Sequence, residues 1–137
     1  MAVARDIMTT DPQCVKENQT LVEASQLLAR LDVGALPICG EDQRLKGMLT
    51  DRDIVVKCLA QGGHPAVARA GDLAEGKPVT IGADDTLEEA MATMQEHQVR
   101  RLPVIDGDDL VGIISQADIA RAMNESDTGE TVEAISQ

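Results

Sequence analysis

The chain has 137 residues, 43% of them hydrophobic and 26% charged, with 24 acidic residues against 12 basic ones and a formal net charge of −12. That balance argues against non-specific binding to nucleic acid or to an anionic membrane, both of which need Lys and Arg to neutralise phosphate. Phe, Tyr and Trp are absent, so the core must be aliphatic and no aromatic ring can stack on a ligand.

The amino terminus, Met1 to Asp6, has neither the basic flank nor the apolar stretch of a secretion signal. No apolar run approaches the ~18 residues needed to cross a bilayer, so a cytoplasmic protein is expected. Arg5-Asp6-Ile7-Met8 reads as a short helical start, followed by Pro12 and a brief strand at Cys14-Val15. Thr20 stands three residues before Glu23, the spacing of a capping box, and Leu21, Ala24, Leu27, Leu28 and Leu31 then fall on one helical face. Two apolar runs, Ala35 to Cys39 and Leu45 to Thr50, are joined by Gly40-Glu41-Asp42-Gln43 and read as a hairpin, and a last helix is predicted from Asp51.

The same order then returns. Gly71-Asp72-Leu73-Ala74 is a second helical start, Thr80-Ile81 a second strand, and Thr86 with Glu89 a second capping box ahead of Leu87, Ala90, Met91 and Met94. Leu102 to Ile105 and Leu110 to Ser115 flank Asp106-Gly107-Asp108, and a final helix is predicted from Gln116. An offset of 66 lays Thr20-Leu21 on Thr86-Leu87, Pro12 on Pro78 and Leu36-Pro37-Ile38 on Leu102-Pro103-Val104. After the turn the offset becomes 65 and lays Gly47 on Gly112, Thr50 on Ser115 and Asp53-Ile54 on Asp118-Ile119. The chain is therefore a duplicated β-α-β-β-α unit. Repeats are expected over 3–62 and 69–123, with 124–137 an acidic, partly disordered tail.

No nucleophile–base pair or activated carboxylate pair stands out, so an enzyme is not expected. Three cysteines are too few for a secreted disulfide scaffold, and His64 and His97 have no ligand-like spacing with them, so neither metal nor resident cofactor is expected.

A tandem β-α-β-β-α unit with Leu-Pro-Ile or Leu-Pro-Val on its second strand, and Gly47 through Asp53 or Gly112 through Asp118 after its third, resembles the CBS domain pair, or Bateman module. Gly47-Met48-Leu49-Thr50-Asp51-Arg52-Asp53 is similar to the stand-alone bacterial members. The arrangement of Cys14, Gly34 to Gly40 and Glu96 to Arg101 is similar to the actinobacterial hypoxic response proteins. The resemblance covers the chain to about residue 123.

It implies an α+β fold of two units with pseudo-twofold symmetry, each with a three-stranded sheet, and two clefts that in relatives hold AMP, ADP, ATP, S-adenosylmethionine or similar ligands. It further implies a cytoplasmic, stress-linked regulatory homodimer acting on a separate protein. Thr50 with Asp53, and Ser115 with Asp118, match the binding motif. A hydroxyl at a helix start sits beside free amides and the positive end of the helix dipole, and an aspartate can accept from both ribose hydroxyls. Gly47 and Gly112 would let the backbone approach the ligand. The same four residues also read as plain capping boxes, so a module with empty clefts that only holds a dimer or docks on a partner stays open.

Arg100 and Arg101 enter the second repeat's hairpin, where one of them can meet a phosphate; Gly34 and Ala35 stand there in the first repeat, which favours the second site. An adenine would bond to backbone near Val15 or Ile81, with Thr80 and Ile38 as walls. Cys14 and Cys39 end strands that are neighbours in the family, which implies a disulfide, against the reduced thiols usual in a cytosol.

Overall fold

A computed structural model of the chain describes residues 2–74 and 78–127. The expected tail at 124–137 falls mostly outside them, because the last described helix runs to Asp127 and residues 128–137 lie beyond. The elements are α1 (Ala4–Ile7), β1 (Thr9–Thr10), β2 (Val15–Lys16), α2 (Leu21–Leu31), β3 (Ala35–Cys39), β4 (Leu45–Thr50) and α3 (Asp51–Asp53). They continue as β5 (Ile81–Gly82), α4 (Leu87–His97), β6 (Arg101–Asp106), β7 (Asp109–Ser115) and α5 (Gln116–Asp127). Mixed helix and sheet content makes the chain α+β, as expected.

The chain divides into two compact units, each built mainly on one repeat with segments exchanged between them. The first-repeat unit is Pro12–Pro78 with Asp108–Leu110; the second-repeat unit is Met1–Asp11, Val79–Gly107 and Val111–Gln137. The segment preceding each repeat's first strand therefore packs with the other repeat. In the second-repeat unit Ala4 and Arg5 donate to the carbonyls of Asp85 and Ala83 at 2.9 and 2.8 Å. In the first-repeat unit Ala70 and Gly71, in a 3-10 turn over Ala70–Leu73, donate to Gln19 and Glu17 at 2.8 and 2.9 Å. Each pair is the other shifted by 66 residues. Ala70 and Leu73 join the first core, with Val15, Leu21, Ile38, Leu49 and Ile54; Ala4 joins the second, with Ile81, Leu87, Leu102, Ile114 and Ile119.

The first sheet has the order β2-β3-β4 and the second β1-β7-β6-β5. Two three-stranded sheets were expected; the fourth strand is β1, whose Thr9 pairs with Ile113 and Thr10 with Gly112. Two exposed threonines carry no period that a sequence reading can detect. Gly112 is what admits this strand, because a Cβ there would meet Met8 and, at 2.8 Å, the Thr9 carbonyl. A Cβ on Gly47 would meet that of Ala74 at 3.0 Å. Both glycines thus make room for the exchanged segments.

Pro37 and Pro103 sit inside central strands, a position proline usually avoids because it cannot donate to the ladder. Here the parallel neighbour starts one residue later: β2 pairs only with Ile38 and Cys39, and β5 only with Val104 and Ile105. The missing N–H therefore leaves no bond unmade on that side.

Candidate functional site: two strand-to-helix caps

Each repeat's third strand ends directly in a helix, and the junction is a closed capping box. In the first-repeat unit the Asp53 amide donates to Thr50 Oγ1 and the Thr50 amide to Asp53 Oδ2, both at 3.0 Å. In the second-repeat unit the Asp118 amide donates to Ser115 Oγ and the Ser115 amide to Asp118 Oδ2, again both at 3.0 Å. Hydroxyl and carboxylate thus satisfy donors that the helix start leaves open. The remaining carboxylate oxygens are also engaged, Asp53 Oδ1 by Lys57 Nζ at 3.3 Å and Asp118 Oδ1 by Arg121 Nη2 at 2.5 Å. The two aspartates are 22% and 16% exposed, so a ligand can reach them, in competition with those cations.

The first amide of each helix donates to the residue just before the hairpin: Asp51 to the Gly34 carbonyl at 3.0 Å and Gln116 to the Arg100 carbonyl at 2.8 Å. Around this shared frame the charges differ. In the first-repeat unit the Asp51 carboxylate accepts from the Arg52 amide at 2.7 Å and lies over Gly34, 3.5 Å from where a Cβ would stand. In the second-repeat unit the equivalent residues are Gln116 and Arg100. The residues at the start of the two caps therefore differ in charge, Asp51 and Gly34 in one against Gln116 and Arg100 in the other.

Arg100 precedes β6 and Arg101 opens it, both exposed. Thr80 lies exposed just ahead of β5. Val15 and Ile38 are wholly buried and Ile81 is 4% exposed, so these three side chains pack in the cores. Cys14 and Cys39 are joined in a disulfide with 5.7 Å between their Cα atoms, and Cys58 is a buried free thiol.

The helix predicted from Asp51 changes character along its length: one α turn, a π turn over Ile54–Cys58 and a 3-10 turn over Leu59–Gln61. It leaves Val55, Val56 and Leu59 54%, 41% and 51% exposed. The first-repeat unit also holds an open depression of about 310 Å³ lined by Glu17, Asn18, Glu41, Asp42 and Lys46, none of them singled out in the sequence. The Arg44 amide, then Lys46, hold the Asp42 carboxyl below its ordinary range, so this acidic lining repels phosphate. Among the described residues no group of three or more His, Cys, Asp or Glu is arranged to hold a metal, and no helix is long and apolar enough to cross a membrane.

The CBS domain family model matches residues 4–59 and 70–125. Hypoxic response protein 1 of Mycobacterium tuberculosis is 50% identical over 135 residues, covering 98% of this chain and 94% of that one. The crystal structure of Hypoxic Response Protein I with two coordinated zinc ions superposes with a TM-score of 0.83 at 52% identity, covering 88% of this chain and 98% of that one. CBSX2 in complex with AMP superposes at 0.80 with 26% identity over 93% and 99% of the two chains. The CBS pair of protein MJ0100, in complex with 5-methylthioadenosine and S-adenosylmethionine, superposes at 0.80 with 25% identity over 92% and 98%. Duplicated fold, capping motifs and near full-length similarity agree: the chain belongs to the CBS domain family, as a tandem pair.

Proposed function

We propose that this chain is a regulatory protein that binds an adenine nucleotide or another adenosyl ligand at a strand-to-helix cap, and that it has no catalytic activity of its own. The observation that carries the reading is the pair of Thr/Ser–Asp caps, each with a carboxylate a ribose can reach, on a fold whose relatives include AMP and S-adenosylmethionine complexes. The second-repeat cap is the favoured site for a phosphate-bearing ligand. Arg100 beside Gln116 attracts an anion that Asp51 beside Gly34 repels. Ribose hydroxyls would replace Arg121 on Asp118 and leave that guanidinium near the ligand's charge.

The setting is a cytoplasmic, stress-linked homodimer with a separate protein target. Support for the dimer comes from Val55, Val56 and Leu59, an apolar strip that a second copy would cover. A ligand-free docking module is the second reading, favoured by caps whose carboxylate oxygens are already satisfied within the unit.

Calorimetric titration with AMP, ADP, ATP and S-adenosylmethionine separates the readings. Saturable binding that Arg100→Ala weakens about tenfold, the loss of one charge-assisted contact, supports the sensor. No heat at millimolar ligand leaves the docking module.

A further inference from the structure

We infer that the Cys14–Cys39 disulfide is a redox-sensitive clip that holds the exchanged segment Ala70–Leu73 on the first-repeat unit, and that a dithiol reductant releases it.

The duplication supplies an internal comparison. The docking bonds of the exchanged segments are the same in both units, and so is the bond that extends each first strand: the Glu17 amide donates to the Cys39 carbonyl and the Ala83 amide to the Ile105 carbonyl, both at 2.9 Å. What anchors these short strands differs. In the second-repeat unit Arg5, on the exchanged segment itself, pairs with Asp84 at 3.3 Å and Asp106 at 3.0 Å. The equivalent residues in the first-repeat unit are Gly71, Asn18 and Gly40, none of them charged. Gly71 instead lies against the strand backbone, where a Cβ would be 2.9 Å from the Glu17 carbonyl.

In place of the ion pairs stands the disulfide. It joins the residue before β2 to the last residue of β3, where the two strands share only the pairs Val15–Ile38 and Lys16–Cys39 and the β3–β4 register shifts. Besides the bridge, β2 and the turn after it are held by the Glu17–Cys39 bond, by Asn18 Nδ2 donating to Glu41 Oε1 at 3.4 Å and by Arg69 donating to the Asn18 carbonyl, so the disulfide is the one covalent tie at the start of the strand. Glu17 and Gln19, which accept from Gly71 and Ala70, follow it directly. Loosening β2 therefore loosens the platform on which the exchanged segment docks. At the positions of Cys14 and Cys39 the second repeat has Thr80 and Ile105, so redox control is confined to one unit.

Access fixes the order of reduction. Cys39 is 1% exposed and Cys14 half-buried, so a dithiol's thiolate attacks the Cys14 sulfur. A mixed disulfide forms there, and Cys39 leaves as a thiolate and takes a proton. The reductant's second thiol then displaces Cys14, which is protonated in turn; two electrons reach the protein and the dithiol becomes a disulfide.

Hydrogen exchange of the full chain, with and without dithiothreitol, tests this at single amides. Reduction is expected to speed exchange at Glu17, Ala70 and Gly71 at least tenfold and to leave Ala83, Ala4 and Arg5 unchanged. The Cys14→Ser, Cys39→Ser double variant should match the reduced protein and ignore dithiothreitol. Equal acceleration in both units, no acceleration, or a response to dithiothreitol in the double variant would each overturn the clip. If the double variant does not fold, reduction of the unmodified chain decides alone.

Discussion

Asp53 and Asp118 each do two things at once: one oxygen closes a helix cap and the other holds a neighbouring cation. Replacing Asp118 by Asn keeps an acceptor for the Ser115 amide while removing the charge that holds Arg121. Chemical unfolding of Asp118→Asn should lie within about 1 kcal/mol of the parent, whereas adenosyl binding, if it uses this residue, should weaken at least tenfold. Thr20 is the contrasting case, a cap with no expected ligand. Its Oγ1 accepts from the Glu23 amide at 3.2 Å, and Thr20→Ala should cost about 1 kcal/mol by the same assay without touching binding. Glu23 titrates with that cap. The Thr20 amide, then its hydroxyl, hold the carboxyl below its usual range. A carboxyl whose folded pKa is depressed contributes fully above its unfolded value and loses that contribution as pH falls through the folded one. Thermal melts followed by circular dichroism should therefore fall as pH drops below the ordinary carboxylate range, and fall less steeply in Glu23→Gln. Identical slopes would mean that Glu23 does not contribute to the acid sensitivity.

Most elements were legible because they repeat: one copy confirms the other, and the boxes at Thr20 and Thr86 mark two helices that begin at Leu21 and Leu87. The motif residues of the caps were legible for the same reason. Other features depend on what packs across them. Neither the exposed pair Thr9–Thr10 nor the π turn at Ile54–Cys58 has a local signature. The acidic depression gathers Glu17 and Asn18 with Glu41, Asp42 and Lys46 only once β2 lies beside β3. The exchange of α1 and the 3-10 turn between units was hidden because each belongs in sequence to the repeat it follows into, while its hydrogen bonds lie in the other. At this scale the disulfide closes a separation of 25 residues, which a chain-entropy model values at about 3 kcal/mol. Urea unfolding should show a loss of that order in Cys14→Ser, and a loss below about 0.5 kcal/mol would mean that the bridge stabilises little beyond the contacts already present.

For the whole molecule, duplication has kept one scaffold and varied its charges. The caps share backbone bonds and hydroxyl–carboxylate pairs, and they differ in Asp51 with Gly34 against Gln116 with Arg100. On the proposed reading, the second-repeat cap takes a phosphate-bearing adenosyl ligand. Amide chemical shifts of the isotope-labelled chain, recorded while AMP is added, locate the bound ligand residue by residue. Saturable shifts centred on Arg100, Ser115, Ala117 and Asp118 are expected, with Thr50 and Asp53 moving little. Saturable shifts centred on Thr50 and Asp53, or none at millimolar AMP, would contradict that reading.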